Sequence, residues 1–245
     1  MIFVDCTWEL DNIGKRTCEV TYDDKDIFNS SVLVDKIKGF EYIVVKIPMN
    51  HPEMNMGLSD LGFTMIETQL NISKCYKDFN FDDRLVKYLY PRVSDKLIST
   101  EKEILEIIEK MTPDMFNSDR IYLDPNFPHN SSCKRYANWM RTEFKKEGCI
   151  IKRIYIDGIE IGFAMSREKN GISYGLLGGI YECEQSEGYG LLTACFGFIT
   201  AKKNSSPFKK AVTTISSNNV PMVNLYNYLQ FKIDSMRYVF VKHNN

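Results

Sequence analysis

Two segments near opposite ends of this chain follow the same pattern. Residues 218–231 read "NNVPMVNLYNYLQF" and residues 50–63 read "NHPEMNMGLSDLGF", and an ungapped alignment pairs an Asn, a Met, a Leu and a Phe. Each copy follows a β-rich run and leads into another, so each predicts a strand–helix–strand unit. The chain is therefore expected to contain two related units, one near each end.

The composition of the chain narrows its function. Its 245 residues suit two modest domains or one elaborated domain, and 44% hydrophobic residues can fill a core. Lys and Arg together number 31 against 32 Asp and Glu, so no net charge attracts nucleic acid or an anionic membrane surface. Any anionic ligand must therefore be bound by local groups.

Compartment and metal content are predicted from the same sequence. The N-terminus "MIFVDCTWELDN" has neither a basic nor a sustained apolar segment, and no uncharged apolar run reaches about 18 residues, so neither a signal peptide nor a membrane span is expected. The seven cysteines lack CxxC spacing and are expected as reduced thiols, which favours a cytoplasmic protein. With only three histidines, no metal site is expected.

Two helices are predicted at the start of residues 100–241. Thr100 followed by Glu103 predicts a capping box, and the stretch "SCKRYANWMRTEFKK" predicts a helix that is capped by Ser131 or Ser132.

Strands dominate the rest of that segment. Three strand-like runs are separated by Asp157-Gly158 and Asn170-Gly171, which favour tight hairpins. A long helix, the strand "KAVTTIS", the second copy of the repeat and a last strand complete the order ααβββαβαβ. That order predicts an α+β fold with a mixed, largely antiparallel sheet flanked by helices.

The N-terminal part has a weaker pattern. The runs "CEVTY", "SVLVDKI" and "YIVVKI" are predicted as strands that precede the first copy of the repeat. The stretch over residues 77–95 has a mixed pattern with one Pro, and we expect it to connect two parts of the chain. The boundary is expected between residues 1–85 and residues 86–245.

A glycine-containing turn precedes the long helix. It reads "ECEQSEGYG" and contains Gln185-x-x-Gly188-x-Gly190. Unpaired N–H groups at a helix start attract a pyrophosphate, and glycines let the backbone approach it closely. The alternative is an ordinary turn between a strand and a helix.

The two motifs together resemble the GCN5-related N-acetyltransferase (GNAT) superfamily. A strand, Q/R-x-x-G-x-G/A, a helix, a strand and then Asn219 followed by Leu225-Tyr226 occur in the order typical of that family. The resemblance covers about residues 100–241, and Leu-Gln-Phe stands at 229–231 where the family usually has Leu-Gly-Phe.

The resemblance implies an acetyl-CoA-dependent N-acetyltransferase without a metal. The pantetheine arm would pair with the strand that ends near Ile180 and with Asn219. Tyr226 would lie near the sulfur, where a neutral phenol can protonate the departing CoA thiolate. The main chain from Gln185 to Leu191 would hold the pyrophosphate, through these residues: Gln185, Ser186, Glu187, Gly188, Tyr189, Gly190 and Leu191.

The N-terminal copy lacks the residues that this chemistry needs. His51 stands at the position of Asn219, and Leu58 stands at the position of Tyr226. Residues 1–85 are therefore interpreted as a degenerate, partial GNAT-like half, kept for packing or for substrate walls, that precedes the GNAT domain. Chance similarity of two amphipathic helices is the alternative.

The segment "DRIYLDPNFPHNSSCKRYANWMRTEF" resembles the dTDP-4-amino-4,6-dideoxygalactose (fucosamine) acetyltransferases. That resemblance implies a nucleotide-linked amino sugar as the acceptor, with Arg120 or Arg135 at its diphosphate and aromatic rings against its base. The candidate acceptor residues are Arg120, Tyr122, Arg135, Tyr136 and Trp139.

Several alternatives stay open. The acceptor can instead be another small amine, such as an amino acid, a polyamine or an aminoglycoside, and a non-catalytic acyl-CoA-binding module is a reading from a different class. Glu182, Glu184 and Asp124 are candidates for the general base. A homodimer is one assembly that the sequence allows.

Overall fold

Ten strands form one mixed sheet in the computed structural model, which describes residues 1–181 and 188–244. In chain order they are β1 (Ile2–Asp5), β2 (Thr17–Thr21), β3 (Tyr42–Pro48), β4 (Thr64–Cys75), β5 (Val93–Leu97), β6 (Cys149–Ile156), β7 (Ile159–Lys169), β8 (Ile172–Ile180), β9 (Lys210–Ser216) and β10 (Lys232–His243). The order across the sheet is β1-β2-β3-β10-β4-β9-β8-β7-β6-β5. Only the β2–β3 and β8–β9 pairs of these strands are parallel.

Helices cover both faces of the sheet. They are α1 (Glu9–Ile13), α2 (Ser30–Lys36), α3 (Pro52–Asp60), α4 (Arg84–Leu89), α5 (Glu101–Ile108), α6 (Arg120–Leu123), α7 (Ser131–Phe144), α8 (Leu191–Lys203) and α9 (Val220–Tyr228). Short 3₁₀ turns lie at Tyr76–Asp78 and Pro113–Phe116. In the described ranges, no helix is both long and apolar enough to cross a membrane.

The two copies of the repeat fold alike. Both give a nine-residue helix with a Pro in its first turn, α3 and α9, and His51 and Asn219 both occupy the N-cap. The turn after each helix places Gly62 and Gln230 at φ values of 79° and 57°. Gln230 therefore keeps the left-handed turn that a glycine usually makes, at a conformational cost.

The two units exchange strands. β10, from the second unit, lies between β3 and β4, and β4, from the first unit, lies between β10 and β9. The last strand of each unit therefore pairs with the first strand of the other. As a result, the sheet runs without interruption from residues 1–85 into residues 86–245.

Side-chain alternation along the strands divides the core between the two faces. Ile154 and Ile156 of β6 pack with α4, α8 and α9, whereas Ile151 packs with α5 and α7 on the opposite face. Arg153 of β6 also reaches α5, where its guanidinium bonds Glu106 at 2.6 Å.

Several local predictions are confirmed. Thr100 and Glu103 form the reciprocal capping box at the start of α5. The hairpin turns β6–β7 and β7–β8 have left-handed residues at Asp157-Gly158 and Asn170-Gly171, as tight two-residue turns require.

Other local predictions are wrong. "SVLVDKI" forms α2 rather than a strand, because Asn29 caps it by accepting a hydrogen bond from Val32 N and because Leu33 and Ile37 are buried one helical turn apart. The N-cap of α7 is Asn130, and Ser131 and Ser132 lie within the helix.

Residues 77–95 are more than a connection. They form α4 and the start of β5, and Phe79, Val86 and Leu89 are buried against α8. The segment therefore contributes to the core that lies beneath the long helix.

Candidate functional site

The parallel strands β8 and β9 part halfway along β8. Their register of pairs runs from Ile172 with Lys210 to Gly175 with Thr213, where the Thr213 hydroxyl donates to the Gly175 carbonyl at 3.0 Å. Beyond that point, the C-terminal parts of both strands line a cavity of about 1630 Å³. This opening between two strands gives access to the site from both faces of the sheet.

The turn before α8 contains the predicted pyrophosphate site. Gly190 is the N-cap of α8 and lines the cavity. Gly188 has a φ of 77°, and a Cβ added there would meet no atom of residues 1–181 or 188–244 within 4 Å. Gln185, Ser186 and Glu187 lie outside the described residues.

Asn219 follows β9 as the N-cap of α9 and lies on the wall of the cavity. Its side-chain oxygen accepts a hydrogen bond from Met222 N at 3.2 Å and so caps α9. Because capping engages the side-chain oxygen, the amide NH₂ is the group of Asn219 that can donate to a ligand carbonyl.

Tyr226 also lines the cavity, and it lies in α9 about two helical turns after Asn219. Its ring packs edge-on against Phe231, with ring centroids 4.7 Å apart. Burial raises the pKa of the Tyr226 phenol, and the charge of Cys195 adds to this, while a hydrogen bond with Thr213 acts in the opposite direction. The phenol is therefore protonated at neutral pH, as a general acid must be.

The other predicted cofactor residues have different surroundings. Ile180 lines the cavity at the end of β8, and its side chain is buried. Tyr189 accepts a hydrogen bond from Arg92 at 3.4 Å, and the Leu191 side chain is in the core. For Tyr189 and Leu191, only a main-chain contact with a ligand fits their positions.

Arg120 and Arg135 line the cavity on the face that carries α6 and α7. Arg135 Nε lies 2.6 Å from a Glu9 carboxylate oxygen, and Arg120 Nη1 lies 3.6 Å from Glu67 Oε1. Each guanidinium therefore faces a carboxylate supplied by the N-terminal part of the chain.

The predicted aromatic residues are held by the protein itself. Tyr136 and Trp139 line the cavity, where the Tyr136 hydroxyl donates to Asp119 at 2.7 Å and Trp139 Nε1 donates to Glu143 at 3.2 Å. Tyr122 is not one of the residues that line the cavity, and its hydroxyl donates to Asp114 at 2.8 Å.

The structure removes one of the three candidate general bases. Asp124 is buried, accepts hydrogen bonds from His243 at 2.7 Å and from Asn126, and is not one of the cavity-lining residues. Its carboxylate is therefore engaged away from the site, which removes it as a candidate. Glu182 and Glu184 lie outside the described residues.

Glu67 is a site residue that the sequence analysis missed. It is buried, lines the cavity and belongs to β4 of the N-terminal unit. The strand that carries it reads "TMIETQLNISKC", and its many polar residues give no local signal that sets Glu67 apart. Strand exchange then places that carboxylate beside β9, which no local pattern indicates.

The N-terminal copy has no matching opening. β2 and β3 pair in parallel along the whole of β2, from Thr17 with Tyr42 to Thr21 with Lys46. Leu58, at the position of Tyr226, is fully buried in the core between β3 and its helices. Among the described residues, no group of three or more His, Cys, Asp or Glu side chains could hold a metal ion.

Sequence comparison gives no relatives of this chain: no family model matches it, and no curated protein matches it. Structure comparison does. A functionally unknown conserved protein from Staphylococcus epidermidis ATCC 12228 matches with a TM-score of 0.61 and 12% identity, over 94% of this chain and 85% of that one.

Two further structures carry family names. A GCN5-related N-acetyltransferase from Kribbella flavida matches with a TM-score of 0.56 and 12% identity, over 94% of this chain and 82% of that one. A tandem GNAT protein from the clavulanic acid biosynthesis pathway matches with a TM-score of 0.58 and 10% identity, over 93% and 75%. At such identities the likeness establishes the fold alone. The chain therefore has the fold of the GCN5-related N-acetyltransferases, in a two-half arrangement.

Proposed function

We propose that the protein transfers the acetyl group of acetyl-CoA to a primary amine. The observation that carries the proposal is the opening between β8 and β9, with Asn219 and Tyr226 on one of its walls. A thioester carbonyl lying in this opening can be reached by an amine from the opposite face of the sheet.

In the proposed reaction, the amine nitrogen attacks the thioester carbon and the C–S bond then breaks. The leaving group is a thiolate whose parent thiol has a pKa of about 8.5. Tyr226 donates its phenolic proton to that sulfur, and its raised pKa keeps the proton available at neutral pH. The amine nitrogen loses its protons, and N-acetylamine and CoA leave the site.

The acceptor predicted from the sequence, a nucleotide-linked amino sugar, needs a guanidinium for its diphosphate. Glu9 and Glu67 already face the two candidate guanidiniums. A diphosphate would therefore bring negative charge next to these carboxylates. This supports the alternative acceptor class, a small amine without a diphosphate.

Thiol release from acetyl-CoA tests the proposal. The acceptor panel contains dTDP- and UDP-linked amino sugars, amino acids, polyamines and aminoglycosides. We expect thiol release that depends on at least one acceptor, together with the matching N-acetylated product by mass spectrometry. Binding of acetyl-CoA without transfer to any of these would instead indicate a non-catalytic acyl-CoA-binding module.

A further inference from the structure

Four cation–carboxylate pairs line the cavity, and they differ in the distance between their charged atoms. Arg135 and Glu9 are 2.6 Å apart, and Lys46 and Glu19 are 2.8 Å apart. The third pair, Arg120 and Glu67, is separated by 3.6 Å. The fourth pair, Lys146 and Glu143, is 2.7 Å apart, so of these four pairs only Arg120 and Glu67 lie beyond hydrogen-bond distance of each other.

Arg120 and Glu67 are both shielded from water. The side chains of Glu67 and Arg120 are 4% and 11% exposed. Arg120 Nε is buried and has no hydrogen-bond partner among the described residues. Glu67 Oε1 accepts a hydrogen bond from Gln69 Nε2 at 3.3 Å. A buried guanidinium that is incompletely hydrogen-bonded is costly, so a ligand that completes the bonds of Arg120 gains free energy there.

The strand that carries Glu67 is joined to the segment that leads into Asn219. Its neighbour Thr68 is joined to Ser217 by two hydrogen bonds of 2.8 and 2.9 Å, and the Asn218 side chain donates to the Ile66 carbonyl at 3.2 Å. Ser217 and Asn218 directly precede Asn219. The strand around Glu67 is therefore fixed to the end of β9 that borders the opening.

Charge balance selects the kind of ligand that can separate this pair. An anion bound by Arg120 would add negative charge beside Glu67, Asp119 and Glu19. A simple cation bound by Glu67 would add positive charge beside Arg120 and Lys46. A ligand that carries both an ammonium and a carboxylate replaces the Arg120–Glu67 pair with two ion pairs, one to each residue, and leaves the net charge unchanged.

We propose that the acceptor is a zwitterionic amine of the amino-acid type, with its carboxylate on Arg120 and its amino group on Glu67. This inference rests on the proposed function. Glu67 receives one proton from the ammonium, the free amine attacks the thioester carbon, and Tyr226 protonates the sulfur as the C–S bond breaks. The nitrogen gives up its second proton to solvent as the intermediate collapses. Glu67 then releases its proton and the Tyr226 phenolate takes one up, so the net products are the N-acetylated amine, the CoA thiol and one proton.

Matched acceptor pairs provide the test. Thiol release is measured at saturating acetyl-CoA with each of the twenty standard L-amino acids and with its carboxamide, which keeps the amino group and lacks the carboxylate. At least one amino acid should be acetylated, and its amide should have kcat/KM lower by about 10- to 100-fold, as expected for loss of a hydrogen-bonded ion pair.

Variants of the two residues separate their roles. Arg120→Gln should lower kcat/KM for the amino acid by the same factor as amidation does and should leave the amide near its wild-type value, because the two changes remove one interaction. Glu67→Gln should lower kcat/KM for both acceptors. Arg120→Lys keeps the charge without the planar fork and should give a smaller loss, for the amino acid alone.

The control variant is Arg237→Gln. Arg237 pairs with Asp23 at 2.7 Å and is not one of the cavity-lining residues, so its loss should leave both acceptors unaffected. Thermal unfolding and acetyl-CoA binding of every variant establish that the fold is intact.

The outcomes distinguish this inference from the proposed function. If acetyl transfer is confined to acceptors without a carboxylate, or if the amides equal their amino acids, the inference is overturned while the N-acetyltransferase remains. If acetyl-CoA binds but no acceptor of any class is acetylated, both are overturned.

Discussion

At the scale of single residues, Tyr226 is the side chain on which the proposed chemistry depends. Tyr226→Phe keeps the ring and its contact with Phe231 while it removes the acidic proton. We expect kcat to fall by about 10²- to 10⁴-fold, which is the usual contribution of a positioned general acid, with little change in KM for acetyl-CoA. Steady-state kinetics with the best acceptor measure both values. Near wild-type turnover with chemistry shown to be rate-limiting would make Tyr226 a packing residue.

The pH dependence of the reaction follows from the environment of the same phenol. Because burial raises the pKa of Tyr226 above its ordinary value near 10, the protonated acid persists through that pH. Ionisation of Tyr226 should therefore cause no loss of kcat below about pH 10. A descending limb between pH 8 and 9 that is absent in Tyr226→Phe would contradict this environment.

Gly188 tests the pyrophosphate turn. Gly188→Val places a branched side chain where a Cβ meets no described atom within 4 Å and where the proposed ligand binds. We expect calorimetry to show no acetyl-CoA binding by this variant. The matched control is Gly62→Val, since Gly62 has a φ of 79°, a Cβ there would likewise meet no described atom within 4 Å, and the residue lies in the turn after α3 rather than the turn before α8. Equal loss in both variants would indicate backbone strain as the cause.

Residues differ in how far the sequence could predict them. Asn219 and Tyr226 were predicted because a local motif identifies them, and both line the cavity. Glu67 could not be predicted, because its position depends on a strand exchanged between the two units. The partners of Arg120 and Arg135 were missed for a related reason, since both carboxylates come from the N-terminal part of the chain.

At the scale of elements, the two parallel strand pairs set the difference between the copies of the repeat. β2 and β3 remain paired, whereas β8 and β9 part after Gly175. A pantetheine arm needs an open strand edge, which the first pair does not offer. The N-terminal copy is therefore proposed to serve as structure.

Restoring the missing residues should not create a second site. In the double variant His51→Asn with Leu58→Tyr, titration should still give one acetyl-CoA per chain, because the strands beside α3 stay closed. Leu58→Tyr also enlarges a side chain in a filled core, so Leu58→Met with His51→Asn serves as the control for packing. A stoichiometry of two in the double variant would refute the structural role.

Elements with strong local signals were predicted correctly, and those decided by tertiary packing were not. The capping box of α5 and the two tight hairpins are specified by the residues themselves. By contrast, "SVLVDKI" contains three β-branched residues in seven, and its helix α2 depends on the Asn29 cap and on the burial of Leu33. The formation of α4 and the start of β5 likewise depends on burial against α8.

At the scale of the whole molecule, strand exchange joins residues 1–85 to residues 86–245. Without β4, the neighbouring strands β9 and β10 lose a common partner. We expect residues 86–245 expressed alone to aggregate or to remain unfolded, and co-expression with residues 1–85 to restore a soluble complex. Circular dichroism and gel filtration measure both outcomes. A stable, monomeric fragment of residues 86–245 would show that the sheet does not require the exchange.

Buried phenols should limit stability at alkaline pH. Burial raises the pKa of Tyr42, Tyr136 and Tyr226, so the folded chain keeps protons that the unfolded chain loses above about pH 10. This contribution to stability is complete below that pH and declines as pH rises further. Urea unfolding between pH 8 and 11 should show a decrease in the free energy of unfolding that begins near pH 10. A constant value up to pH 11 would contradict these environments.

Calorimetric titration of the full-length chain with acetyl-CoA tests the central claim most directly. One opening between parallel strands, with Asn219 and Tyr226 on its wall, predicts one site per chain with micromolar affinity and competition by CoA. Absence of binding to the folded protein, or binding that persists unchanged in Gly188→Val, would contradict the proposed site.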